Sequence, residues 1–414
     1  VPGSAPDAWF ELVGYEVEAT ANLYELREAE FTNLRYAAQG RAATNDLAAA
    51  AEAGLERDFA LAERFNHGVA GGKWAGFQTQ PHIDYGDVAR YGPNASWQQP
   101  ELNNVALPDV LFPAVRRIEL QPGAELGVAV DGFPGAEVVL RPYRTGPAPY
   151  IEVFNRGRDA FDYRIEASEP WITVARPRGR VRDQVRVVVK ADWSRAPHGR
   201  TQARITVSGA RASAVVPVIA EHPVARGLRG FVEAGGYVAM DAEHCVRAVG
   251  TWRRIDRIDR IGRTGAGMTP YPVTAPRRTP GGTASPRLEY EVSLLSAGTV
   301  TVWAYLSPRN PALPTGGLRY ALSFDDAPPR TVDIHAATGA DDGLMNSQWA
   351  RNTSDNVNVT STRHEVAAPG VHRLKFWMVE PTVVLQRLVI DTGGLGPTYL
   401  GPPESRRVDR GVTR

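Results

Sequence analysis

The sequence predicts a multidomain α+β protein. A short N-terminal helical-bundle portion (1–70) leads into two β-sandwiches, the first immunoglobulin-like (115–224) and the second a jelly roll (228–400). Three observations carry this reading. Apolar residues recur at helical spacing over about the first 67 residues, then at a period of two from about residue 115 onward. Turn-forming clusters of Gly, Pro, Asn and Ser interrupt the second pattern at short intervals. The length of 414 residues leaves room for two to three domains.

The helical portion starts near residue 7. Phe10, Val13, Val17, Leu23, Leu26 and Phe31 line a first, less regular apolar face. Asn45-Asp46 can cap the next helix, and Leu47, Ala51, Leu55, Phe59 and Phe65 follow at helical spacing. Two or three helices of this size need a partner for their apolar faces. Residues 71–114 read as a long connecting loop rich in aromatic and amide side chains, including Gly71-Gly72-Lys73-Trp74, Gln80-Pro81-His82-Ile83-Asp84-Tyr85 and Trp97-Gln98-Gln99-Pro100. A loop of that length is usually functional or disordered, and its aromatics argue for order. Rings flanked by amides suit a sugar surface: ring faces cover C–H groups while amides bond hydroxyls. The competing reading is a covering loop whose aromatics only pack.

In the first sandwich, Val128/Val130, Ile151/Val153, Phe161/Tyr163/Ile165, Ile172/Val174, Val185/Val187/Val189, Ile205/Val207 and Val216/Val218 alternate with polar residues. About seven short strands separated by turns such as Asn155-Arg156-Gly157, Pro177-Arg178-Gly179 and Ser208-Gly209 fit an immunoglobulin-like sandwich. Arg226-Gly227-Leu228-Arg229-Gly230 reads as a linker. Beyond it, Leu288/Tyr290/Val292/Leu294, Val300/Val302, Tyr320/Leu322/Phe324, Leu374/Phe376/Met378 and Leu388/Ile390 belong to about eight or nine strands of a jelly roll. Residues 401–414, rich in Pro and Arg, read as a loose tail.

Composition excludes several function classes. A net charge of +1 supplies no field for nucleic acid or an anionic membrane, and no apolar run is long enough to span a bilayer. The single cysteine, Cys245, rules out an intrachain disulfide and a Cys-based zinc site. Nucleophile elbows, phosphate loops before a helix and His-Glu-x-x-His motifs are absent from the sequence. The carboxylate pairs Glu11/Glu16 and Glu28/Glu30 have the residue types of glycosidic chemistry, but such pairs on helices are usually solvated. Asp241 and Glu243, with Asp325-Asp326 or Asp341-Asp342, are candidates for a structural calcium ion, since hard cations take oxygen ligands; exposed strand carboxylates are the commoner reading. Trp252 to Tyr271, with Gly262-Arg263-Thr264-Gly265-Ala266-Gly267, reads as a Gly-rich loop at a sandwich rim. Val1-Pro2-Gly3 has neither an initiator Met nor a signal peptide, and reads as a fragment boundary.

Ordered stretches along nearly the whole chain resemble the C-terminal part of bacterial xylan α-1,2-glucuronidases of glycoside hydrolase family 115. They include Ala21-Asn22-Leu23-Tyr24-Glu25-Leu26, Tyr36-Ala37-Ala38-Gln39-Gly40-Arg41, Gly71-Gly72-Lys73-Trp74, Gln80-Pro81-His82-Ile83, Trp97-Gln98-Gln99-Pro100, Gly230-Phe231-Val232-Glu233-Ala234, Phe376-Trp377-Met378-Val379 and Tyr399-Leu400-Gly401-Pro402-Pro403-Glu404-Ser405. The resemblance implies an N-terminal α/β domain, a catalytic (β/α)8 barrel, a helical bundle and C-terminal sandwiches. It also implies removal of glucuronic acid or its 4-O-methyl ether from xylan. The first two parts lie outside this chain, and the family's acid/base machinery sits in the barrel, so no catalytic residue is carried over.

On that resemblance the chain is the ancillary half of the enzyme, inactive alone and packed on the barrel. Lys73 would meet a glucuronate carboxylate, with Trp74, Gln80, His82, Tyr85 and Trp97 shaping the cleft. Its partners would be xylan or glucuronoxylan, the barrel and a second copy in a homodimer, in a bacterial secreted or periplasmic setting. The middle sandwich resembles bacterial modules attached to polysaccharide-degrading enzymes, and the last sandwich looks like certain carbohydrate-binding modules. Two alternatives follow: a free xylan-binding protein using Trp252 and Trp97, and a purely structural, dimerising module.

Overall fold

The computed structural model describes residues 6–79, 114–224, 227–256, 264–314, 316–337, 356–398 and 401–408. A short helical portion is followed by mostly β structure. The chain divides into two compact units: Val1–Val138 with Pro149–Val189 and Arg204–Pro217, and Val139–Ala148 with Lys190–Ala203 and Val218–Arg414. The border runs through the first sandwich rather than between the sandwiches.

In the first unit, α1 (Pro6–Trp9) passes through a π turn at Phe10–Gly14 into α2 (Tyr15–Gln39). Gly40 stops it, with φ of 66° and its N–H bonded back to Ala37 and Tyr36, the left-handed close that glycine adopts without a Cβ penalty. The next helix, α3 (Thr44–Glu63), packs on α2 through Leu26, Ala29, Ala51 and Leu55. Phe10, Tyr15, Leu61, Phe65 and Val69 form a second cluster. The expected single apolar face therefore divides in two. Phe10 and Leu26 are buried, whereas Leu12, Val13, Val17, Tyr24 and Phe31 are exposed. Val17, Tyr24 and Phe31 recur every seven residues, so they form one stripe along α2.

Asn45 does not cap α3. The helix begins at Thr44, with no side-chain cap at its N-terminus, and the Thr44 hydroxyl donates back to the Arg41 carbonyl at 2.7 Å. The Asn45 amide instead donates to the Ile118 carbonyl and accepts the Ile118 N–H. Asn33 treats Arg116 in the same way. These two amides serve residues 116–118 as a neighbouring strand would, satisfying backbone groups beside the helices.

The first sandwich has nine strands: β1 (Leu126–Val130), β2 (Val138–Leu140), β3 (Tyr150–Asn155), β4 (Phe161–Ala167), β5 (Ile172–Val174), β6 (Arg178–Val181), β7 (Gln184–Ala191), β8 (Gly199–Gly209) and β9 (Ala212–His222). Their sheets run β1-β3-β7-β5 and β2-β9-β8-β4-β6. Two turn assignments move. Arg178 and Gly179 lie in β6, an edge strand paired with β4. Ser208 and Gly209 end β8, and the turn sits at Ala210 and Arg211, with φ of 48° and 61°.

Among the described residues the second sandwich has thirteen strands: β10 (Gly230–Val232), β11 (Tyr237–Asp241), β12 (Arg247–Val249), β13 (Trp252–Asp256), β14 (Ala266–Pro270), β15 (Arg287–Leu294), β16 (Gly298–Leu306), β17 (Arg319–Phe324), β18 (Arg330–Asp333), β19 (Asn358–Val366), β20 (Gly370–Met378), β21 (Leu385–Asp391) and β22 (Arg407–Val408). One sheet runs β18-β17-β20-β15-β10-β22, with β12 also on β15; the other runs β13-β14-β21-β16-β19, with β11 on β21. Tyr290, Tyr320 and Phe376 from the first sheet and Val302, Leu388 and Met240 from the second share one core. The buried phenols keep their bonds: Tyr290 donates to the Ala242 carbonyl at 2.7 Å, and Tyr320 pairs with the Thr360 hydroxyl at 2.6 Å, as groups removed from water require.

Two expectations change here. The Trp252–Tyr271 stretch is not simply a rim loop, because β13 and β14 pair antiparallel from Trp252↔Pro270 to Asp256↔Ala266. The tail is not loose over 401–408. Arg407 and Val408 pair with Phe231 and Gly230, and the Ser405 hydroxyl accepts the Ala239 N–H at 2.9 Å.

His364 on β19 gives the second sandwich a pH response. It is 5% exposed, bonded to the Thr362 hydroxyl at 2.8 Å and set edge-on to Phe324. Burial, aided by Arg330, pushes its pKa down to about 4. The imidazole therefore stays neutral in the fold while an unfolded chain protonates it near pH 6.5. The unfolded state binds more protons between those values, so this contribution is complete above pH 6.5 and declines as pH falls toward 4. Between pH 7 and pH 5 the loss should be about 2 kcal/mol. Urea unfolding at both pH values should show it, and His364→Gln should flatten the dependence.

Candidate functional site

Only the beginning of the aromatic loop falls within the described residues; Gln80, His82, Tyr85 and Trp97 lie outside them. The Asn66 amide donates to the Gln78 carbonyl and accepts the Gln78 N–H, while the Ala70 N–H reaches Asp7 at 2.9 Å. Gly71 and Gly72, with φ of 66° and 84°, turn the chain between these ties. Trp74 is half-buried against Phe10, Tyr15, Leu61, Phe65 and Val69 and meets Phe77 edge-on at 5.3 Å. Lys73 is exposed, its ammonium 4.9 Å from the Trp74 ring centre. Trp74 thus packs on the helices and carries a cation that faces water.

Trp252 also has a packing role. It lies against the second-sandwich core, its indole N–H donates to the Val249 carbonyl at 3.0 Å, and its ring meets Phe376 edge-on at 6.3 Å. The indole N–H is thus engaged within the sandwich, and the ring is partly exposed.

Asp241 and Glu243 separate. Strand β11 ends at Asp241, and a 3-10 turn at Ala242–His244 breaks the alternation that would align them. Asp241 accepts a 2.7 Å bond from Arg387. Glu404 accepts the Asp241 N–H and a bond from His244 Nδ1, each at 2.8 Å. The ligand atoms of Asp241, His244 and Glu404 lie within 4.8 Å of one another, but Glu243 is outside that group. Burial raises the Glu243 pKa, and its Oε2 is buried without a hydrogen-bond partner. The three residues form a hydrogen-bonded cluster in which Asp241 also pairs with Arg387.

Sequence reading missed a cleft of about 230 Å3 in the second unit, whose lining includes Arg141, Tyr143, Arg200, Glu221, His222 and Glu233. Arg141, just after β2, pairs with Glu221 of β9 at 2.6 Å. His222 Nδ1 is 3.1 Å from the Ala196 carbonyl. A carbonyl only accepts, so Nδ1 donates this bond. The ring meets His198 at a tilt, with centres 4.1 Å apart, and lies 5.2 Å from Trp193. Glu233 is fully engaged: it takes the Leu295 and Ser296 N–H groups and the Ser296 and Thr392 hydroxyls. Gly235 and Gly236 form the remaining wall. A Cβ on Gly236 would lie 2.6 Å from Gly394 Cα, so the backbone there passes too close for a side chain. The lining is gathered from short runs far apart in sequence: Arg141-Pro142-Tyr143, Gly199-Arg200, Glu221-His222-Pro223 and Glu233-Ala234-Gly235-Gly236.

These features define a two-sheet β-sandwich module around an apolar core, with a cleft beside its first strands. Residues 230–404 match the model of the glycosyl hydrolase family 115 C-terminal domain. Among solved structures, a family 115 4-O-methyl-α-glucuronidase with specificity for decorated arabinogalactans is similar at 15% identity and a TM-score of 0.29, over 38% of this chain and 18% of that one. This chain therefore aligns with less than a fifth of that enzyme's length. The C-terminal family 6 carbohydrate-binding module of a laminarinase from Zobellia galactanivorans overlaps 37% of this chain and 98% of its own, at 10% identity and a TM-score of 0.26. A family 35 module from Clostridium thermocellum overlaps 37% and 97%, at 13% identity and 0.26. No curated protein matches the chain. No described helix is long and apolar enough to cross a membrane.

Proposed function

We propose that this chain is the ancillary C-terminal half of a bacterial, secreted xylan α-1,2-(4-O-methyl)glucuronidase. It packs on the catalytic barrel, forms one wall of the glucuronoxylan cleft and supports dimerisation. The match of residues 230–404 to the family 115 C-terminal domain carries this reading. The α2 stripe supports the packing role. Val17 and Tyr24 are 61% and 73% exposed, and covering apolar area is worth about 25 cal/mol per Å2. Lys73 supports the cleft role: its exposed ammonium opens the aromatic loop, where a uronate carboxylate would offer a counter-charge.

The chain alone should release no methylglucuronic acid from glucuronoxylan, and release by it would overturn the reading. Immobilised, it should retain the separately produced barrel portion of a family 115 enzyme. Tyr24→Asp with Phe31→Asp should abolish that retention, because both positions face water here and the change leaves the core untouched. Sedimentation should show a dimer.

A further inference from the structure

We infer that the cleft between the Arg141–Tyr143 loop and the Glu233–Gly236 turn binds a single hexuronate residue by its carboxylate. The choice of a uronate over other carboxylates of that size rests on the family 115 reading; the anionic, one-ring character rests on the cleft itself.

The argument begins with charge. The lining has two arginines and two glutamates, but three of these four are committed. Arg141 and Glu221 neutralise each other at 2.6 Å. Glu233 is 6% exposed and spreads its charge over four local donors. Arg200 is exposed and its guanidinium has no hydrogen-bonding or ionic partner among the described residues, so it is the uncommitted charge of the cleft. A guanidinium presents a fork that matches a carboxylate, giving two charge-assisted bonds in one plane.

Shape limits the rest of the ligand. A volume of about 230 Å3 falls below the roughly 300–1,000 Å3 of sites for drug-sized molecules, which suits one sugar ring. Pro142, Tyr143, Pro223 and Leu295 provide apolar surface for the C–H face of a pyranose. Gly235 and Gly236, at φ of 68° and 80°, bring bare backbone to the wall and keep it open. The Glu221 carboxylate can accept from a ring hydroxyl, and a hydroxyl, which both donates and accepts, can meet the second ring nitrogen of His222. The Nδ1 bond to Ala196 and the tilted contact with His198 hold the His222 ring, so it is in place before a ligand arrives.

Titration of the full 414-residue chain with D-glucuronate, D-glucose and acetate, followed by calorimetry and ligand-observed NMR, tests the site. Glucuronate should bind in the millimolar range, with glucose and acetate each at least about tenfold weaker. Arg200→Ala should weaken glucuronate about tenfold and abolish its preference over glucose, while thermal unfolding stays unchanged because Arg200 holds nothing in the fold. Tyr143→Ala should weaken glucuronate and glucose together. Equal binding of acetate, or unchanged glucuronate affinity in Arg200→Ala, would overturn the site. Barrel retention by the α2 stripe separates the two readings. Lost uronate binding with barrel retention intact overturns the cleft alone, and the reverse result overturns the functional reading alone.

Discussion

Replacing Glu152 with alanine should destabilise the first unit by about 3–5 kcal/mol, the cost of stranding a buried charge. The charge is that of Arg41, which is 0% exposed and cannot deprotonate at any accessible pH. Its guanidinium donates to Glu152 at 2.7 Å, Gln39 at 2.6 Å and Gln184 at 2.9 Å. It also lies 4.2 Å and 4.1 Å from the Tyr36 and Phe154 ring centres. The amides and rings solvate the cation but supply no counter-charge. Arg186, the second partner of Glu152, has a side chain that is 61% exposed, so Arg186→Ala should cost at most about 1 kcal/mol. Urea unfolding of both variants separates the two cases. A loss near 1 kcal/mol for Glu152→Ala would mean that Arg41 reaches water when its partner is removed, and would sink the account. Glu152→Gln, which keeps an acceptor and removes the charge, should fall between the two.

This network also shows where sequence reading stops. Tyr36-Ala37-Ala38-Gln39-Gly40-Arg41 was visible as a local motif, but its chief partner, Glu152, is 111 residues away. Alternation found the strands that bury one face, such as β4, whose pattern switches at every residue. It missed β6, because an edge strand reading Arg-Gly-Arg has almost nothing to bury. It also missed β13 and β14: Arg253, Arg254 and Asp256 on one and glycine in the other conceal a pairing made by the partner strand. Period-two spacing put Asp241 and Glu243 on one face, and a three-residue turn overrode it. The cleft is the extreme case. Residues near 141, 200, 222 and 235 share no local pattern and come together only in the folded chain. Helical spacing read the apolar positions of α2 correctly but could not divide them, since a buried face and an exposed apolar stripe have the same period.

Gly230→Ala should cost more than about 3 kcal/mol and lower the unfolding temperature of the second sandwich accordingly. Two effects add. Gly230 has a φ of 64°, where an L residue costs roughly 1–2 kcal/mol. The added Cβ would also lie 1.8 Å from the Glu291 carbonyl oxygen and 2.4 Å from its carbon. Those are backbone atoms of β15, fixed on its other side by eight residue pairs with β20, so the shift must come from β10. That strand is short and held by few pairs: Phe231↔Val292 and Val232↔Ser293 on one side, Gly230↔Val408 and Phe231↔Arg407 on the other. Moving it exposes Phe231, which is 1% exposed in the core, and releases β22. Gly316→Ala isolates the first effect, because its φ is 69° and a Cβ there meets nothing within 4 Å; that variant should lose about 1 kcal/mol. Limited proteolysis provides the second readout. In Gly230→Ala, residues 401–408 should become cleavable, whereas Gly316→Ala should leave them protected. If the two variants unfold alike, the contact with Glu291 is not what requires glycine at the start of this sandwich, and the left-handed backbone alone accounts for it.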